Sequence, residues 1–211
     1  MRRVVVFDLD GLLIDSEPHW FAAEEEVIAA HGGVWSESVA ASHMGMRVLE
    51  AVPVMLSAYG IKADVPTFAR AIVDALLRRF GGGLAEMAGA GRAIRLAGPR
   101  VALASSSPFH AIRKALSIMG WTFPVVCSGD EVARGKPAPD IFLLAADRLG
   151  VAPGACVVLE DSPNGLRAAK AAGMACIVVP NSACDRRDFD GADLVLGSLL
   201  ELEPRHFGQG P

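Results

Sequence analysis

No two of the four cysteines are spaced as CxxC, and the five histidines keep no ligand spacing. No apolar run reaches the roughly 18 residues that a membrane helix needs. Positive charge is scarce as well. Lys and Arg number 20 against 24 Asp and Glu, for a formal net charge of -4, and no basic stripe stands out. Nucleic-acid and anionic-membrane partners are excluded on that ground. The absence of an internal repeat or low-complexity tract excludes a repeat array. Cys156 and Cys176 sit inside apolar runs and, with Cys127 and Cys184, are expected as buried free thiols, which suits a reducing cytoplasm. The opening Met-Arg-Arg-Val-Val-Val resembles the start of a signal peptide, but Asp8 and Asp10 cut the apolar run too early.

What is present is a globular composition, 52% hydrophobic and 21% charged over 211 residues, enough for one large domain or a domain with an insertion. Short β-branched runs recur: VVVF (Val4 to Phe7), VALA (Val101 to Ala104), PVVC (Pro124 to Cys127), CVVL (Cys156 to Leu159), CIVVP (Cys176 to Pro180) and DLVL (Asp193 to Leu196). None alternates, so both faces of each strand are buried, as in a parallel sheet covered by helices. Between them lie segments that open with proline and close with glycine, as helices prefer: Pro108 to Gly120, a stretch ending at Gly150, and one ending at Gly173. This alternation predicts an α/β fold, a doubly wound parallel sheet.

Residues 16–84 break the rhythm with helical patterns only. Ser16 is placed to cap a first helix, with Pro18 in its first turn and Glu24 to Glu26 on its wet side, and Asp64 to cap another. Gly81-Gly82-Gly83 ends the block and reads as a flexible joint. The expected division is therefore a catalytic core, 1–15 and 85–211, and an inserted small α-helical cap, 16–84.

In an open parallel sheet, ligands bind beyond the carboxyl ends of the strands. Asp8 and Asp10 follow VVVF; Ser105, Ser106 and Ser107 follow VALA; Glu160 and Asp161 follow CVVL; Lys136 lies after PVVC, in GKPAPD. Two adjacent carboxylates ending a buried strand repel each other unless a cation lies between them. A hard divalent cation such as Mg2+ takes oxygen ligands and fits these clusters. A carboxylate nucleophile, Mg2+, a serine hydroxyl and a lysine around a tetrahedral anion make a phosphoryl-transfer site.

FDLDG, the Ser105 that closes VALAS, GKPAPD and LEDSPNG resemble, in order, the four motifs of the haloacid dehalogenase superfamily. The helical insertion resembles the small cap of its β-phosphoglucomutase-like branch, and FDLDGLLIDSEPHW with HMGMR resembles that branch's sugar-phosphate phosphatases. The resemblance implies that Asp8 attacks phosphorus and that Asp10 protonates the leaving alcohol and then activates water. It implies that Asp8, the Asp10 carbonyl, Asp161 and Glu160 hold Mg2+, with Glu160 direct or through water. Ser105, Ser106 and Lys136 would bind the phosphoryl oxygens, and Arg47 would reach the substrate from the cap. Gly-rich GGGLAEMAGAG replaces the family's Pro-Gly return, and the short AIRLAGPR predicts a trimmed first core helix.

The expected function is a Mg2+-dependent phosphatase acting on a small phosphorylated metabolite such as a sugar phosphate, as a monomer in the cytoplasm. The nearest rival is a phosphosugar mutase, whose cap histidine is replaced by Trp20. A dehalogenase lacks the second aspartate of the DxD pair. A phospho-accepting receiver module is little more than half this length and has no helical insertion.

Overall fold

The apolar runs become strands lying side by side. The computed structural model describes residues 3–180 and 186–208. Its elements run in the order β1 (Val4–Phe7), β2 (Ile14–Asp15), α1 (Glu17–Ala30), α2 (Glu37–Ser42), α3 (Val48–Tyr59), α4 (Val65–Phe80), β3 (Ala85–Glu86), α5 (Ala90–Ala97), β4 (Val101–Ser105), α6 (Phe109–Met119), β5 (Val125–Ser128), α7 (Asp140–Leu149), β6 (Cys156–Glu160), α8 (Pro163–Ala171), β7 (Ala175–Val178) and β8 (Leu194–Val195). Six strands form one sheet in the order β5-β4-β1-β6-β7-β8, every neighbouring pair parallel.

β1, β4 and β6 are buried at every residue, which is why their sequences show no alternation. Successive side chains still point to opposite faces: Val5 and Phe7 enter one hydrophobic core and Val6 the other. From β1 the chain builds β4 and β5 on one side, then crosses back to build β6, β7 and β8 on the other. The carboxyl end of β1 is thus the point where strand order reverses, the place where such sheets bind ligands.

The helices α1 to α4 lie between β2 and β3, which pair antiparallel through Ile14–Glu86 and Asp15–Ala85. This ribbon escapes sequence reading because two residues carry no period. Asp64 caps α4 by accepting from Thr67 N at 3.0 Å, as expected. Ser16 precedes α1 but makes no capping bond. The wet-side assignment fails at one residue: Glu24 is buried at 6% exposure, while Glu25 and Glu26 face solvent. A buried carboxylate demands donors, and Glu24 has them in the functional cavity.

Gly81, Gly82 and Gly83 follow α4, with Gly83 at φ +103°, a conformation that favours glycine. The first core helix, α5, is eight residues long. Cys127, Cys156 and Cys176 are buried free thiols whose pKa values burial raises, and Cys184 lies outside the described residues. No helix among the described residues is long and apolar enough to cross a membrane.

Candidate active site

Lys136, 1% exposed, reaches under the ends of β1 and β6, its Nζ 2.5 Å from Asp8 Oδ1 and 2.5 Å from Glu160 Oε1. It also donates to the Ala104 carbonyl at 3.3 Å. Burial opposes its charge, but Asp8 and Glu160 overcome that and raise its pKa. Loss of this cation would leave two buried carboxylates unpaired, a change worth about 3–5 kcal/mol.

Asp8, Glu160 and Asp161 are all buried, and a ligand atom from each lies within 4.8 Å of the others. One lysine does not balance three carboxylates. Burial, the largest cause, pushes Asp8 up from its ordinary 3.8 to about 8, Lys136 working against the shift and Glu160 and Asp10 adding to it. Asp161 is raised by burial first, then by the charges of Glu160 and Asp8. An all-oxygen, anionic, buried set is what a hard divalent cation such as Mg2+ requires. Glu160 Oε2 accepts from Asp161 N, Ser162 N and Ser162 Oγ at 3.0, 3.1 and 3.0 Å. Gly165 makes room for it: a Cβ there would lie 1.9 Å from the Glu160 carboxyl.

Asp10 accepts from four side-chain donors. Its Oδ1 accepts from Ser16 Oγ at 2.6 Å and Trp20 Nε1 at 3.2 Å, its Oδ2 from Ser105 Oγ at 3.0 Å and Ser107 Oγ at 2.7 Å. Three of these contacts escape sequence reading, which takes Ser16 as a helix cap and joins neither Ser107 nor Trp20 to Asp10. The available signal is the spacing: Ser16 and Trp20 are four apart at the start of α1 and so share a face. The single proton of Ser105 Oγ points at Asp10, so binding a phosphoryl oxygen means exchanging that partner.

Of the other two sequence-predicted residues, Ser106 lies at the cavity and Arg47 points away from it. Ser106 lines the cavity, but its Oγ donates to the Gly45 carbonyl at 2.7 Å. Arg47 does not line the cavity. Its guanidinium donates to the carbonyls of Gly129, Val132 and Ala133 at 3.1, 2.8 and 3.1 Å and pairs with Glu50. Asn164 Nδ2 donates to Met44 O at 2.7 Å and Gly135 N to Glu50 Oε1 at 3.0 Å. These bonds seat the helical block on the core loops, and Gly45 (φ +76°) allows it, since a Cβ there would meet Ser162 Oγ at 2.5 Å. Arg47→Ala removes several of these bonds, each worth about 0.5–1.5 kcal/mol. The expected outcome is a fall in kcat/KM of about tenfold or more and a Tm lowered by several degrees, measured by steady-state kinetics and thermal unfolding.

Between block and core lies a cavity of about 100 Å³ into which Asp8, Asp10 and Asp161 open. Its far wall is apolar, built from Phe21, Met46, Val48, Ala51 and Met55, and interrupted by Glu17, Glu24 and His43.

This arrangement of sheet, carboxylates and buried lysine defines a hydrolase of the haloacid dehalogenase type. A family model described as haloacid dehalogenase-like hydrolase matches residues 2–173, and the chain belongs to that family. It is 36% identical to hexitol phosphatase B from Escherichia coli (strain K12), covering 93% of this chain and 92% of that one. It is 35% identical to a phosphorylated carbohydrates phosphatase from Thermotoga maritima, covering 82% of each. Among solved structures, a CbbY variant from Rhodobacter sphaeroides in complex with xylulose-(1,5)bisphosphate superimposes with a TM-score of 0.87, at 30% identity and 100% coverage of both chains. The protein is a phosphatase by this kinship, and the fold is the family's.

Proposed function

We propose that the chain is a Mg2+-dependent phosphatase of a small sugar or polyol phosphate, working through an aspartyl phosphate on Asp8. The observation that carries the reading is Lys136 holding Asp8 and Glu160 at 2.5 Å, with Asp8 open to the cavity and Asp10 two residues from it. Asp8 and Asp161, with the Asp10 carbonyl, are assigned to the ion. Glu160, both of whose oxygens are already engaged, is assigned to hold it through water. When bound, the ion neutralises the carboxylates and polarises the phosphoryl group.

An Asp8 carboxylate oxygen attacks phosphorus as the bond to the leaving oxygen breaks, and Asp10 delivers its proton to that oxygen. Asp10 then takes a proton from water, which attacks phosphorus and releases inorganic phosphate, restoring Asp8. Lys136, Ser105 and Ser106 balance charge on the phosphoryl oxygens. Residues 16–84 act as a cap that swings on β2, β3 and Gly81 to Gly83, excluding bulk water when seated. The reading takes the protein to act as a monomer in the cytoplasm, where its buried thiols would stay reduced.

Phosphate release over a panel of phosphorylated metabolites, with and without Mg2+, tests the reading. Turnover that needs Mg2+ supports it, and turnover equal after chelation overturns it. A putative β-phosphoglucomutase from Thermotoga maritima, 32% identical with a TM-score of 0.67, keeps a mutase as the second reading. Phosphorus NMR separates the two: with glucose 1-phosphate and a bisphosphate activator, hydrolysis should outrun formation of glucose 6-phosphate.

A further inference from the structure

Lys136 is fixed at both ends, and the two anchors come from different parts of the fold. Its ammonium is held by the core. Nζ lies 2.5 Å from Asp8 Oδ1 and from Glu160 Oε1, and 3.3 Å from the Ala104 carbonyl. It also stands 4.9 Å from the centre of the Phe142 ring, within range of a cation–π contact. The backbone end is held by the helical block. Gly135, the residue before Lys136, is buried, and its amide donates to Glu50 Oε1 at 3.0 Å.

The sequence builds that grip from both sides. Arg47 directly precedes α3 and Glu50 stands in its first turn, three residues on, so the two side chains share a face and pair. Together they enter the core loop that leads to Lys136. Arg47 donates to the Gly129, Val132 and Ala133 carbonyls while Glu50 takes the Gly135 amide. Four backbone groups between β5 and Lys136 are therefore met by side chains of the block. Gly135 leaves the room for them. A Cβ there would lie 2.3 Å from Glu50 Oε2, 2.7 Å from Arg47 Cγ and 2.8 Å from Arg47 Nε, and these are its three nearest neighbours. The space at Gly135 is thus shaped to the block and not to the core.

Resting on the phosphatase reading, we infer that Glu50 is a positioning residue through which the seated cap places Lys136, so that phosphoryl transfer runs at full rate only under a closed cap. Transfer through Asp8 is what makes a backbone anchor necessary. While Asp8 is a free carboxylate, its ion pair helps to hold the ammonium. Once an Asp8 oxygen is bonded to phosphorus that pair is altered, and the Gly135 end keeps the ammonium against the phosphoryl oxygens. With the cap lifted, the Gly135 amide and the three carbonyls turn to water, and the segment carrying Lys136 gains conformational freedom. Glu50 thus acts on the chemistry through Lys136 without touching substrate.

The experiment measures kcat and KM in Mg2+ for sorbitol 6-phosphate and for acetyl phosphate, whose small acetate leaves without a proton from Asp10. Glu50→Ala should lower kcat about tenfold for both probes, with KM changed by less than about threefold. Glu50→Gln, whose amide oxygen still accepts from the Gly135 amide, should restore most of that kcat, which also guards against misfolding of the Ala variant. Gly135→Ala breaks the same contact from the core side, at a backbone position outside the left-handed region. It should cost a similar factor, and the double variant Gly135→Ala/Glu50→Ala should lose no more than the worse single one. A second readout does not depend on turnover. The nitrogen NMR signal of the Lys136 ammonium, identified by its loss in Lys136→Arg, should shift or broaden in Glu50→Ala and return in Glu50→Gln. A cap that merely shelters the leaving group predicts a loss confined to sorbitol 6-phosphate and an unaltered ammonium signal. Either result overturns the inference while leaving the phosphatase intact. Failure of the unaltered protein to hydrolyse either probe overturns both.

Discussion

Asp8→Asn should reduce turnover by about a thousandfold or more while leaving the fold intact, because the amide matches the carboxylate in shape and removes only its nucleophilicity. The folded protein should tolerate the change and even gain from it. Asp8 is 5% exposed and its carboxyl is pushed up to about 8, so the buried site already resists its charge. A neutral amide removes that resistance and lessens repulsion with Glu160 and Asp161. Lys136 keeps Glu160 as a partner at 2.5 Å, so no buried cation is orphaned. The check pairs steady-state kinetics with thermal unfolding. Substantial activity in the Asn variant would contradict the nucleophile assignment, and a collapse in Tm would contradict the claim that the loss is chemical.

Stripping divalent cations should take activity to background, and adding Mg2+ back should restore it and raise Tm. The size of that rise should depend on pH. Asp8 has a folded-state pKa raised from its ordinary 3.8 to about 8, so the metal-free folded protein binds more protons than the unfolded chain between those values. Its stability therefore falls as pH rises from about 4 to about 8. Asp161, raised in the same direction by burial, adds to the slope. Mg2+ binds the ionised carboxylates, so its apparent affinity should weaken by about tenfold for each pH unit below 8, in the limit of one displaced proton. The Mg2+-induced rise in Tm should accordingly be larger at pH 8 than at pH 5. Calorimetric titration and unfolding at both values read this out, and a rise independent of pH would place the ion elsewhere.

Much of this was legible in the chain for a physical reason. A parallel strand covered on both faces must be apolar at every position, so VVVF and CVVL announce themselves, and the polar residues that follow stand out as ligand groups. The parts that were not legible depend on tertiary contact. Glu24 reads as a solvated helix glutamate because nothing nearby in sequence reveals that His43 and Trp35, 19 and 11 residues away, will supply its donors. Ser107 stands out in sequence only as a polar residue after VALA, and nothing near it shows that its hydroxyl turns to Asp10, 97 residues away. Arg47 was legible as important and illegible in direction, since its partners at 129–133 lie on a different part of the fold. The third helix of the block carries Pro53 in its interior, which a propensity reading takes as a break.

The central claim is that a phosphoryl group passes through Asp8. Acid quenching during turnover of the preferred phosphomonoester, followed by peptide mapping with mass spectrometry, examines it directly, because an acyl phosphate survives acid long enough to be located. The account predicts a phosphorylated peptide containing FDLDG with the modification on Asp8, absent from Asp8→Asn. A phosphoryl group on any other residue, or turnover with no phosphoenzyme at any quench time, would contradict it.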